Sequence, residues 1–351
     1  QLDRLSTFYT RSQASFGSIK YDQIASGAAN ANQKVQQLTM SQRLFGDSMG
    51  NVIAKMAAWQ VMGAVIAKPI AAFKEALSVM KEVDKQLTNI QKVSDISPTE
   101  LNTLGKGAYA TASKYGVGAD EYLAATYNFQ KAGLGSSSAG LAEISTKLQL
   151  VGDTTADVAS KMIIATNNAW EMGGSMEALS LMVDKADYIN NNYATDIAKL
   201  SEGMPVVASV AANANMSMEE TLAALGTITA STQETGSKAA YAMRALIMNI
   251  TGEIGDVVNE EGEAFTVTQD SINSMTDALK RFAPEVVQTA KEMGTVIDPM
   301  EAIGALSQAY QEGLLNDIEL TDILMSVGGK MRTNQLTALI KNFDTYQEML
   351  E

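Results

Sequence analysis

Carboxylates are the only plentiful side chains in this sequence that could take part in chemistry. The chain carries 40 Asp and Glu residues but has neither His nor Cys. Nucleophile systems of the Ser–His and Cys–His kinds are therefore excluded, disulfides cannot form, and zinc, copper and haem sites lose their usual ligands. One chemistry that carboxylates could supply is that of a glycosidase, which needs two carboxyl groups facing each other across a cleft.

The acidic residues do not suggest such a pair. Glu219 and Glu220 are adjacent, so on a helix their side chains point about 100° apart. Ser217 lies three residues before Glu220, which predicts a capping box at a helix start. The glutamates within residues 260–263 lack the Asp-x-Asp-x-Asp-Gly order of a calcium loop. We interpret them as a solvated acidic loop.

Other candidate sites are also better explained by structure. Asp184 and Asp187 precede an Asn run at 190–192, which fits a cation site less well than a helix C-terminus followed by an Asn-rich turn. The Gly-Lys pairs at 105–106 and 329–330 lack the other residues of a phosphate-binding loop. The sequence therefore predicts no catalytic, cofactor-binding or metal-binding residue, and no enzyme activity.

Composition favours an all-α protein. Of the 351 residues, 46% are hydrophobic and 19% are charged, Pro is limited to five, and the net charge is −14. Helix formers dominate, so we predict a multi-helix bundle of short capped helices with a longer N-terminal helix. Sequence-specific nucleic-acid binding is not expected, because phosphate backbones are bound by clustered Lys and Arg.

Two segments near the N-terminus leave alternatives open. Apolar residues between Tyr21 and Met49 mostly follow 3-4 spacing, which fits a coiled coil or an ordinary amphipathic helix. The apolar segment 52–72 contains twelve uncharged residues, Met56–Ala67. This run is shorter than the ~20 residues that span a bilayer, and it fits a buried helix or a membrane-active segment released on triggering. Residue 1 is Gln and begins no signal-peptide pattern, so we expect a fragment of a longer polypeptide.

Capping signals predict where later helices begin. Apolar residues spaced three or four apart predict an amphipathic helix over 76–93. The Ser-Pro-Thr-Glu run at 97–100 predicts a capping box with Pro at the first helical position, and the Asp-Pro-Met-Glu run at 298–301 repeats this start. Turns are expected at Gly or Asn clusters. Phe265–Thr268 is the only strand candidate, and a loop or small hairpin fits it as well.

We divide the chain into three regions. Residues 1–95 hold long N-terminal helices with the candidate coiled coil and apolar segment, residues 96–252 form a helical core, and residues 253–351 hold an acidic loop region and C-terminal helices. The chain has 20 Met residues, of which Met216, Met218 and Met243 lie in the core region. Such residues either fill irregular gaps or form an adaptable interface.

Four segments of this core occur in an order and spacing that match a known family. They are Ala112-Ser113-Lys114-Tyr115-Gly116-Val117, Gly133-Leu134, residues 211–225 and residues 236–246. In these segments the chain resembles the core region of phage tail tape measure proteins of long-tailed phages and related contractile particles. The resemblance covers about Gly105 to Ile254 and continues more weakly to the end. Ala240-Tyr241 stands where the family usually has a Gly-Thr pair, so the local turn is expected to differ.

The resemblance implies a structural function without enzyme activity or cofactor. Tape measure proteins occupy the tail lumen, set tail length during assembly, contact the tail tube protein and the tail tip or baseplate hub proteins, and leave ahead of the DNA. It therefore implies a homo-oligomer in the tail lumen or at the tail tip of the virion, made in the host cytoplasm, with contact to the host membrane on ejection. The alternative is a membrane-acting helical protein, either pore-forming or a delivered effector.

Overall fold

The computed structural model describes residues 67–258, 262 and 264–351. Within these residues it contains fifteen α-helices and one two-stranded sheet, which confirms the all-α prediction. The 3-4 stripe at 21–49, the apolar run up to residue 66, and the glutamates within 260–263 lie outside the described residues. The described residues separate into two compact units, one ending at Tyr127 and one spanning Asn128–Glu351. The three-region division drawn from composition stays a prediction.

The elements are numbered in chain order. The helices are α1 (Ala67–Val93), α2 (Pro98–Tyr115), α3 (Ala119–Lys131), α4 (Ser138–Gly152), α5 (Ala156–Ala169), α6 (Met176–Asn192), α7 (Ile197–Asn213), α8 (Met218–Thr232), α9 (Gly236–Thr251), α10 (Gln269–Phe282), α11 (Pro284–Met293), α12 (Pro299–Gln311), α13 (Asp317–Gly328), α14 (Thr333–Lys341) and α15 (Phe343–Leu350). A 3-10 turn, Gly135–Ser137, precedes α4, and the strands β1 (Gly255–Val258) and β2 (Ala264–Val267) lie between α9 and α10.

In the first unit, α1 buries one apolar stripe. Met80, Val83, Leu87 and Ile90 are at most 7% exposed, because a spacing of three and four places them on one face. Val79, one of the apolar residues of the predicted helix over 76–93, is 36% exposed. It lies at the margin of the stripe, about 60° from its centre.

The start of α2 is set by the predicted capping box. The Ser97 hydroxyl accepts a hydrogen bond from the Glu100 N–H at 3.3 Å, and the Glu100 carboxylate accepts one from the Ser97 N–H at 2.9 Å. Pro98 occupies the first helical position, where its missing N–H has no partner to lose. The helix ends at Gly116, whose left-handed φ of 74° suits a residue without a side chain.

The second unit is built around α7, α8 and α9. Most residues of α8 and α9 are buried on all sides, so these two helices form its centre. The backbones of α7 and α9 touch where glycines face each other. A Cβ atom on Gly236 would lie 1.6 Å from the Lys199 carbonyl oxygen, and one on Gly203 would lie 2.8 Å from the Gly236 carbonyl oxygen. Only glycine permits this approach.

The other helices of the second unit cover this centre. α4 and α5 pack against α7, α6 packs against α4 and α8, and α10, α12, α13 and α14 all contact α9. The buried Asn249 ties two of these elements together, since its side-chain amide donates to the Val327 carbonyl at 2.9 Å. That carbonyl belongs to the last turn of α13, where backbone oxygens lack helical partners.

The predicted strand candidate is one strand of a small hairpin. β1 and β2 pair antiparallel, with Gly255 opposite Val267 and Val258 opposite Ala264. Val257 and Val267 are buried, and both strands contact α9. Thr268, predicted as strand, instead caps α10 by accepting a hydrogen bond from the Ser271 N–H.

Two local predictions differ from the structure. The Asn run at 190–192 was expected to be a turn, but α6 continues through Asn192. Asn191 and Asn192 each donate to an oxygen four residues earlier, at 2.8 Å, so their side chains support the last helical turn rather than ending it. Ala240 and Tyr241 lie inside α9 and form no turn.

Candidate interaction surfaces

The carboxylates singled out from the sequence serve helix starts. Glu220 accepts a hydrogen bond from the Ser217 N–H at 2.6 Å, and the Ser217 hydroxyl accepts one from the Glu220 N–H at 3.1 Å. Asp298 accepts hydrogen bonds from two backbone N–H groups at the start of α12. Burial, followed by the negative charges of Glu220 and Asp298, raises the pKa of Tyr346. α8 therefore begins with the predicted capping box, and α12 begins with the predicted cap residue Asp298 followed by Pro299.

The polar run on α6 is likewise bonded within its own helix. Asp187 accepts the hydrogen bond from Asn191, so its carboxylate supports α6. Across the part of the chain that the structure describes, no group of three or more His, Cys, Asp and Glu residues is placed to hold a metal ion. The pair Gly105-Lys106 lies within α2, and Gly329-Lys330 lies in the connection between α13 and α14. Neither position follows a strand, as a phosphate-binding loop would require.

Among residues 67–258, 262 and 264–351, no helix is long and apolar enough to span a membrane. Of the apolar run Met56–Ala67, only Ala67 belongs to the described residues.

The outer face of α13 carries exposed apolar side chains. Ile318 is 74% exposed and Met325 is 44% exposed; seven residues apart, they lie on the same face of the helix. Leu314, just before the helix, is 62% exposed. The opposite face is buried through Leu320 and Leu324. Thr321 and Asp322 are exposed between Ile318 and Met325 on the same face, so the outer face of α13 combines apolar and polar side chains.

A charged cluster joins the end of α14 to α12 and α13. The Lys341 ammonium lies 2.5 Å from the Asp317 carboxylate and 4.7 Å from the centre of the Tyr310 ring. The Tyr310 hydroxyl donates to Asp317 at 2.9 Å. Hydrogen bonds from Lys341 and Tyr310 lower the pKa of Asp317, and the hydrogen bond to Asp317 raises the pKa of Lys341. The cluster fixes the position of α14 directly before α15.

Methionines occur both in the core and on the surface. Met216, Met218 and Met243 are at most 4% exposed, which agrees with the interpretation that they fill core gaps. Met293 and Met331 are 69% and 64% exposed. Residue type alone does not separate the two groups, because the flexible Met side chain suits both core gaps and adaptable surfaces.

These contacts define a class of protein: an all-α bundle in which the candidate reactive groups that the structure describes serve to cap and join helices. The model of the phage-related minor tail protein family matches residues 99–318, more than half of the chain. The match begins in the first turn of α2 and ends in the first turn of α13. The chain therefore belongs to the phage-related minor tail protein family and is a structural component of a phage tail, and hence of the virion. No solved structure gives a significant match to the chain.

Proposed function

We propose that this chain is a folded part of a tape measure protein, docked in the tail lumen or at the tail tip. The observation that carries the proposal is the family match over residues 99–318, together with the tape-measure-like segments at 112–117, 211–225 and 236–246. In this role the protein takes part in tail length determination, in assembly and in genome ejection.

The lengths of the helices favour a docking part over the ruler itself. A single helix of 351 residues would extend about 530 Å, whereas the helices described here have 8 to 27 residues and are packed together. A rod elsewhere in the parent protein would do the measuring. The 3-4 stripe at 21–49 is the segment of this chain best suited to join that rod.

We propose that the chain acts by packing and docking, without enzyme activity. Its partners would be further copies of itself, the tail tube protein and the tail tip or baseplate hub proteins, with host membrane contact on ejection. The outer face of α13 supports this proposal, because Ile318, Leu314 and Met325 are left exposed. Burying such side chains against a partner stabilises a complex by about 1.5–3 kcal/mol each.

Binding to purified tail proteins tests the proposal. We expect the chain to bind tail tube or tail tip proteins from its own phage, and we expect Ile318→Glu to weaken that binding by about tenfold or more. Met293→Glu at the end of α11 is the matched control, because it also replaces a largely exposed apolar side chain with the same charge and should leave binding unchanged. Each variant is first checked for an unchanged circular dichroism spectrum.

Several results would argue against the proposed role. A chain that binds neither tube nor tip proteins would contradict it. Turnover of peptidoglycan, lost on replacing a single Asp or Glu, would show an enzyme instead. Flotation of the chain with liposomes in the absence of any tail protein would favour the membrane-acting alternative.

A further inference from the structure

A single residue separates the last two helices. α14 ends at Lys341 and α15 begins at Phe343, with Asn342 between them at φ −114° and ψ 35°. The Asn342 N–H still donates to the Ala338 carbonyl at 3.1 Å, and the Asn342 carbonyl accepts from the Tyr346 N–H at 3.2 Å. Helical hydrogen bonding thus continues on both sides, and the break is a kink rather than a loop.

The sequence across the kink is that of one continuous amphipathic helix. Leu336, Leu339, Phe343, Tyr346 and Leu350 follow uninterrupted 3-4 spacing, which keeps one apolar stripe along a helix. No Gly or Pro lies between them, although these are the usual causes of a sharp kink. Local sequence therefore permits a straight helix, and the contacts of α15 hold it in the bent form.

Those contacts are made mainly with α8. Met349 is 1% exposed, and its sulfur accepts a 3.6 Å hydrogen bond from the Thr227 hydroxyl. A Cβ atom on Gly226 would lie 2.9 Å from the same sulfur, so the missing side chain at Gly226 provides the space that Met349 fills. Lys185 of α6 donates to the Leu350 carbonyl at 3.2 Å. We call this site, formed by Lys185, Gly226 and Thr227, the α8 groove.

We propose that α15 is exchanged between two copies of this chain, each α15 filling the α8 groove of the other. A change of the Asn342 backbone to helical φ and ψ joins α14 and α15 into one straight helix. This change moves α15 away from the α8 groove of its own chain. A second copy then supplies an identical helix to that groove, so every contact of α15 is recovered and the only new geometry is at the hinge. Exchange of an identical element is a low-cost route to dimers. The inference goes beyond the tail assignment, since it concerns purified chains alone.

Introduced cysteines can report which chain fills the groove, because the natural sequence has none. Thr227→Cys and Met349→Cys replace two residues in contact. The doubly substituted chain is the positive control: closure of an intrachain disulfide in the bent form would show that the geometry of the two positions allows bonding. Placed on separate chains and mixed at about 100 µM, they link two chains only where α15 of one occupies the groove of the other. A mixture of Met349→Cys with Ser274→Cys, an exposed position on α10, controls for random collisions.

We expect the Thr227→Cys and Met349→Cys mixture to give a reducible dimer on a gel, and the control mixture to give none. Asn342→Ala favours the straight helix and should raise the dimer association constant, about threefold for each of the two hinges, whereas Asn342→Gly should lower it. The proposal is overturned if the doubly substituted chain closes within itself while the mixture stays monomeric after refolding at high concentration. Binding to tail proteins does not enter this readout, so either proposal can fail alone.

Discussion

Replacing Gly236 with Ala should destabilise the second unit more than any other Gly-to-Ala change on a described helix. The added Cβ atom would lie 1.6 Å from the Lys199 carbonyl oxygen. Both clashing groups belong to backbones, so no side chain can rotate away, and α7 and α9 must separate by about 1.5 Å. Overpacking of a core typically costs about 1–3 kcal/mol. Because this clash is relieved only if two central helices move, we expect the free energy of unfolding to fall by about 3 kcal/mol or more.

Thermal and urea unfolding followed by circular dichroism measure this loss. For a unit of this size, about 3 kcal/mol corresponds to a fall in Tm of roughly 6–12 °C. Gly140→Ala is the matched control, since its Cβ atom would meet only the end of the Met176 side chain, which can move aside. The reasoning is refuted if Gly236→Ala melts within about 2 °C of the wild type. The reasoning is also refuted if Gly140→Ala lowers the Tm as much as Gly236→Ala does.

Further predictions follow from other contacts. Gly107→Ala should stabilise α2 by about 0.5–1 kcal/mol, because Gly107 has nothing within 4 Å of its added Cβ; a lower Tm would contradict this. Met349→Ala should cost about 2–4 kcal/mol and speed amide exchange in α15; unchanged exchange would show that Met349 does not anchor the helix. Hydrogen bonds from Lys341 and Tyr310 hold the pKa of Asp317 below its usual 3.8. The stability that the Asp317 carboxylate contributes is therefore complete above this usual pKa, and it is lost as the pH falls through the lower pKa of the folded state. The difference in Tm between wild type and Asp317→Asn should be constant from about pH 5 to 9 and shrink below about pH 4; a difference independent of pH would argue against the ion pair.

Helix starts were predictable because capping is local chemistry. Ser97 with Glu100 and Ser217 with Glu220 were identified from residue type and spacing, and both boxes are present. The side chains that close such a box lie within four residues of each other, so no tertiary contact is needed to form it. The same locality explains why Asp298 was found.

Features that depend on distant contacts were not predictable in this way. Gly107 and Gly236 both lie on helices, and nothing nearby in the sequence separates an open position from one that touches another backbone. β1 was missed because it begins with Gly255 and Asp256, two residue types that are depleted in strands, and its Val257 is buried by contacts made elsewhere in the fold. The kink at Asn342 is marked by neither Gly nor Pro, and Asn is only a moderately poor helix former. The contacts of α15 with α8 are made by residues far away in the sequence.

The second unit contains two kinds of helix contact: a backbone contact between α7 and α9, and a side-chain contact between α15 and α8. Where α7 meets α9, backbone lies against backbone at Gly203 and Gly236, and such close packing is sensitive to small displacements. Where α15 meets α8, the contact is the flexible side chain of Met349, and one residue, Asn342, controls the direction of the helix. A tail component must hold its shape within the virion and still form new contacts during assembly. In this chain the centre of the second unit meets the first requirement, and its last helix is suited to the second.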